Sequence, residues 1–122
     1  MVTAEVALAL PVLVFVTAAA LWGIACASTR LTCADVARIG ARAAARGEPL
    51  PAVRTQAARA LPAGAVIGVH RDGELVRIEI TVTVHAPGAA ALPPIRVHTR
   101  VTAATEPGAD AAHETPLPEP PP

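Results

Sequence analysis

The chain has 122 residues, and its ten basic side chains balance ten acidic ones, leaving no formal charge, while 52 % of the residues are hydrophobic. That length holds one small domain, or a membrane segment with a very small domain attached. The neutral balance argues against a nucleic-acid binder driven by counterion release, the 2 % aromatic content without Tyr leaves little for bases or sugars to stack on, and a lone serine, Ser28, disfavours a serine hydrolase. A membrane-associated or assembly protein is the leading class.

The first strong feature in chain order is an uncharged run of 24 residues from Val6 to Thr29. As a helix rising about 1.5 Å per residue it spans roughly 36 Å, enough to cross a hydrocarbon core of about 30 Å. Its larger aliphatic and aromatic residues together favour insertion by roughly 3 to 6 kcal/mol. Trp22 suits an interfacial belt, and Pro11 is expected to kink the helix rather than end it, because backbone groups in lipid stay paired. Glu5 stands at the mouth of this run. It has two readings: a carboxylate held near the head groups, where it complements the helix dipole, or an acid that neutralises a cation inside an assembly, such as the terminal amine of a neighbouring subunit.

Beyond Thr29 the helical pattern continues but turns amphipathic. Arg30, Arg38, Arg42 and Arg46 form a stripe, and Leu31, Ala34, Ala37, Ala41 and Ala44 offer a thin face of mostly small residues beside it. The stripe reads either as a solvated face or as a contact with anionic head groups or a partner subunit. Gly47 followed by Pro49 stops the helix. Residues 49–61 predict a second helix, with Pro49 and Pro51 tolerated in its first turn and Leu50, Val53, Ala57 and Leu61 at helical spacing.

From Ala65 the period becomes two. Val76, Ile78, Ile80, Val82 and Val84 alternate with polar residues as a half-buried strand. Asp72-Gly73 predicts a two-residue hairpin turn, pairing Arg71 with Glu74, Val69 with Val76, and Ile67 with Ile78. Ile95, Val97, Thr99 and Val101 make a third strand, joined to the second by the Pro/Ala/Gly segment 86–94. From Glu106 the composition collapses to a Pro-rich tail expected to be disordered or polyproline-like. A small three-stranded antiparallel sheet with one apolar face needs a helix over it. The expected fold is therefore α+β: a long N-terminal transmembrane helix within 1–47 (membrane part about 6–29), a small α+β head at 48–105 with the short second helix, and a tail at 106–122.

Chemistry-bearing residues are sparse. His70, His85 and His98 fall on the polar sheet face and His113 in the tail, without thiolates or carboxylates spaced to complete a metal site. Cys26 and Cys33, seven residues apart, sit about 10 Å apart along a helix and cannot bridge each other. No catalytic constellation or phosphate-cradling loop appears, so no enzyme, cofactor or metal is expected. Ala25-Cys26-Ala27 before Ser28 has the small-x-small form of a signal-peptidase site, which opens the reading of a small secreted domain; the long apolar run and Glu5 oppose it.

The stretch Met1-Val2-Thr3-Ala4-Glu5-Val6-Ala7-Leu8-Ala9-Leu10-Pro11 resembles the start of TadE-family proteins, pseudopilin-like minor pilins of tight-adherence type IV pilus systems. The run Ala34-Asp35-Val36-Ala37-Arg38-Ile39-Gly40-Ala41-Arg42-Ala43-Ala44-Ala45-Arg46-Gly47 is similar to a segment of that family's Arg- and Ala-rich members. The resemblance covers roughly residues 1–105, with its specific part in the first 47. It implies processing by a prepilin peptidase immediately before Met1, which would be the first mature residue, and a subunit-docking role for Glu5 together with Met1. Such cleavage needs a leader ending in Gly, so the expectation is either a start upstream of Met1 or an absent leader. The arginines after the span would by themselves hold the head in the cytoplasm; an upstream basic leader would outweigh them and place it outside. The function implied is a membrane-anchored, prepilin-like minor pilin that takes part in pilus assembly and adhesion. Its partners would be other pilin subunits, the assembly machinery, membrane lipid and, given a leader, prepilin peptidase; no nucleic acid is expected. The alternative is a bitopic membrane protein whose extracytoplasmic head binds a cell-envelope partner.

Overall fold

Ala, the strongest helix former, is the commonest residue in the first third of the chain, and a single helix results. In a computed structural model, which describes residues 2–86, 88 and 93–108, helix α1 runs through Val2–Ala45 as 44 continuous residues with Pro11 inside it. The expectation that Pro11 would not end the helix holds.

The C-terminus of α1 is closed by several partners. Gly47, at φ +89°, takes the left-handed conformation that ends the helix. Its N–H donates to Ala44 O at 3.1 Å and that of Glu48 to Ala43 O at 3.2 Å, the paired bonds of a Schellman motif. The N–H of Glu106 donates to Ala45 O at 3.0 Å, and Arg71 Nη2 donates to Ala44 O at 2.6 Å. Carbonyls that a helix end leaves unpaired are thus satisfied from the turn, the sheet and the segment after it.

Helix α2 (Leu50–Ala60) starts at the N-cap Pro49, with Pro51 in its first turn. Val53, Ala57 and, just past its end, Leu61 are buried, as their helical spacing predicts. Strands β1 (Val66–Asp72), β2 (Leu75–Val84) and β3 (Ile95–Ala104) form one antiparallel sheet in the order β1-β2-β3. The fold is α+β.

The hairpin register differs from the expected one. Asp72 pairs with Leu75, so Gly73-Glu74 are the turn residues; Val69 pairs with Ile78, Ile67 with Ile80 and Arg71 with Val76. Gly73 has φ +55° while among the described residues no residue other than glycine has positive φ, so glycine stands at the first central position, as in a type II′ turn. The whole pairing is displaced by two residues, which preserves which side chain faces which side of the sheet. Apolar residues therefore still meet apolar ones.

Helix α1 lies over β2 and β3, and α2 fills the space between α1 and β1. The core joins Cys33, Ala37, Ala41 and Ala44 of α1 to Val53 of α2 and to Val76, Ile78, Ile80 and Val97 of the sheet. The face that packs is thus led by Cys33 rather than by Leu31, which is 69 % exposed. Two residues at about 100° each carry Leu31 to the far side of the helix from Cys33. Gly40 completes the seam: a Cβ on it would stand 2.8 Å from Ile78 Cδ1 and 3.4 Å from Val53 Cγ1, so glycine lets helix, helix and strand close at that point without displacing the end of Ile78. The Pro-rich segment expected to be disordered lies outside the described residues except for 106–108, of which Glu106 is tied to α1 as above.

Candidate assembly and membrane surface

Through Leu21 the apolar run of α1 is covered by none of the described residues. Every residue from Val2 to Leu21 is exposed, and an 18-residue window of mean hydropathy 2.2 has no residue buried. Side chains such as Leu8, Leu13, Phe15 and Ile24 are 63 to 75 % exposed. The helix is long and apolar enough to cross a membrane. Two of its hydroxyls are consistent with that solvent, because they bond to their own helix: Thr17 Oγ1 donates to Leu13 O at 2.8 Å and Thr29 Oγ1 to Ala25 O at 2.9 Å.

Glu5 lies in the first turn of α1, exposed, and among the described residues its carboxylate has no hydrogen-bond or ion-pair partner. It stands at the positive end of the helix dipole. Met1, named with Glu5 as a docking residue, lies outside the described residues, as does the processing position before it.

Arg30, Arg38 and Arg42 on the upper half of α1, and Arg46 just past its end, are all exposed. Arg38 stands 3.9 Å from Asp35 and Arg46 3.2 Å from Glu48, open pairs of small energetic weight. On the outer face of the sheet, Arg100 Nε donates to Glu79 Oε1 at 2.7 Å, and Thr81 Oγ1 lies 3.1 Å from His98 Nδ1. His70 and His85 are exposed as the strand parity predicts, and His113 lies outside the described residues. Among the described residues no three His, Cys, Asp or Glu side chains come together as a metal site would require.

Cys26 is half-buried and Cys33 fully buried, both as free thiols. Burial under the sheet pushes the Cys33 thiol above its ordinary value by desolvation of the thiolate. Two residues that position the head were missed in the sequence: Arg71 and Gly40. Arg71 carries a signal, since it follows Ile67 and Val69 at the inward parity of β1, where an arginine needs a buried acceptor. Gly40 carries another, as a glycine inside the Ala- and Arg-rich half of α1 marks close approach.

No family model matches the chain, and no solved structure matches it. The apoptosis inhibitor Rv3655c of Mycobacterium tuberculosis is 41 % identical over 115 residues, covering 93 % of this chain and 86 % of the relative. A match of that identity spans the apolar helix and the head together. The chain belongs to the same protein family as the mycobacterial apoptosis inhibitor Rv3655c.

Proposed function

We propose that this chain is a TadE-like minor pilin: a single-pass subunit, anchored by α1 with its head outside the cytoplasm, that enters a tight-adherence type IV pilus and does so without catalysis. The observation that carries the reading is the unpartnered first half of α1, an apolar rod that begins with one exposed acid, Glu5. Such a rod is stable in lipid, and also in a filament where neighbouring helices replace the lipid contacts. Within that low-dielectric bundle a carboxylate gains from a charge-assisted bond to an adjacent amine far more than it does in water. The resemblance of residues 1–47 to TadE-family proteins supports the same reading.

The test is Glu5→Ala in the full chain, followed in separated membrane and surface-fibre fractions. The variant is expected to reach the membrane at the level of the parent and to fall in the fibre fraction. Equal amounts in the fibres would remove Glu5 from the account.

The mycobacterial relative's name supports a second reading, in which this chain too inhibits apoptosis. Its test is the survival of cells exposed to an apoptotic stimulus with and without the purified chain. Protection by the chain supports that activity, and unchanged cell death opposes it.

A further inference from the structure

The head has no linker to hold it away from the span. The apolar run ends at Thr29, and Cys33 is already at 0 % exposure beneath the sheet. The contacts between α1 and the sheet show which end of the sheet lies lowest. Arg71, paired with Val76, reaches Ala44 O, and Ile78 meets Gly40. From Ala44 to Gly40 is about 6 Å along the helix, and from Val76 to Ile78 about 7 Å along β2, so the strand descends beside the helix. Continuing from Ile78 to Val84 covers about 20 Å of strand, against roughly 16 Å of helix from Gly40 to Thr29. The far end of the sheet, where Val84 pairs with Ile95, thus comes level with the point at which α1 leaves its apolar run.

Two arginines stand at that level, both exposed: Arg30 on the helix and Arg96 on β3, one residue in from the strand end. Arg96 adjoins half-buried Ile95, whose partner Val84 is half-buried too, and Arg30 stands at the same level on the helix, a pattern of apolar tips with cations at their height. We propose that this end of the head rests on the bilayer that α1 crosses, with Arg30 and Arg96 holding the phosphates of anionic lipids. Charge complementarity selects the occupant, because guanidinium forks match phosphate oxygens and their stems can lie along apolar surface. Each arginine contributes about fivefold to the affinity of the head for an anionic surface. The inference rests on the membrane-spanning reading of α1.

The test uses the full chain, methyl-labelled at Ile, Leu and Val, in phosphatidylcholine nanodiscs with or without phosphatidylglycerol. One set carries a paramagnetic chelate on the lipid head groups, the other a spin label in the acyl chains. With phosphatidylglycerol present, head-group labels should broaden the methyl signals of Val84 and Ile95 and spare Leu75 at the opposite end of β2. The broadening should fall when phosphatidylglycerol is left out, and fall likewise in the Arg30→Gln/Arg96→Gln variant. Unchanged Ile78 signals report that the variant is folded, and Arg42→Gln serves as a control that leaves the broadening intact. Val84 and Ile95 broadened no more than Leu75, or broadened alike with and without phosphatidylglycerol or both arginines, would overturn the proposal. The acyl-chain label separates the two failures. If it broadens Val12 and Leu13, the span stands whatever the head does; if it leaves them sharp, the span and this proposal fall together.

Discussion

Arg71 of the central hairpin donates from Nη2 to Ala44 O at 2.6 Å, joining β1 to the last turn of a helix 27 residues away in sequence. The guanidinium stands at the negative end of the α1 dipole, where a cation is stabilising. The bond is part-buried, so it is not screened as an open ion pair is.

Removing that bond should cost more than removing a surface pair. Arg71→Met is expected to destabilise the head by about 1.5 to 3 kcal/mol, the range for a hydrogen bond to a charged group. Arg100→Ala breaks an exposed pair with Glu79 and should cost about 1 kcal/mol or less. Denaturant unfolding of each variant in the same detergent checks the order. Equal losses would mean that Arg71 does not anchor the end of α1.

The seam at Gly40 gives a two-residue prediction. Gly40→Ala gains about 1 kcal/mol of helix propensity but drives a methyl against Ile78 Cδ1, and overpacking typically costs 1 to 3 kcal/mol. A net loss of about 1 kcal/mol is expected. Ile78→Val deletes the methyl that clashes, so it should cost about 1 kcal/mol in the parent and nearly nothing in the Gly40→Ala chain. A double-mutant cycle by equilibrium unfolding measures the coupling, and strict additivity would contradict the close contact.

These two residues also show why part of the fold was legible and part was not. Period-two alternation from Val76 to Val84 names the inward face whichever register is chosen, so the core of the sheet follows directly from sequence. The register itself depends on whether Gly73 enters the turn at its first or second central position, and a dipeptide signal does not decide that. The helical pattern revealed α1 and its stop at Gly47, yet a stripe of small residues has little amphipathic contrast. The phase of its packing face, Cys33 rather than Leu31, is set by what the sheet presents. Glu5 was legible as an acid at the mouth of an apolar run; the inward parity of Arg71 was legible too, but its partner was hidden because it is a backbone carbonyl, which no side-chain pattern announces.

Cys33 supplies a pH prediction. Burial raises its thiol above the ordinary value, so as pH climbs the unfolded chain releases that proton before the folded one does. Stability from the neutral, packed thiol is complete below the ordinary thiol value and declines from there up to the folded value. The Cys33→Ala variant should lack this alkaline component. A maleimide should modify Cys33 in the parent only under unfolding conditions, with peptide mass mapping to separate it from Cys26. Rapid modification of Cys33 in the native chain would contradict its place under the sheet.

The central claim, an apolar helix that passes from lipid into a surface fibre, is tested most directly by mass spectrometry of the chain recovered from sheared surface fibres and from the culture medium. The account predicts a fibre-associated chain that retains Glu5 and the whole run from Val6 to Thr29. A chain found only in the medium and beginning at Ser28 would contradict it.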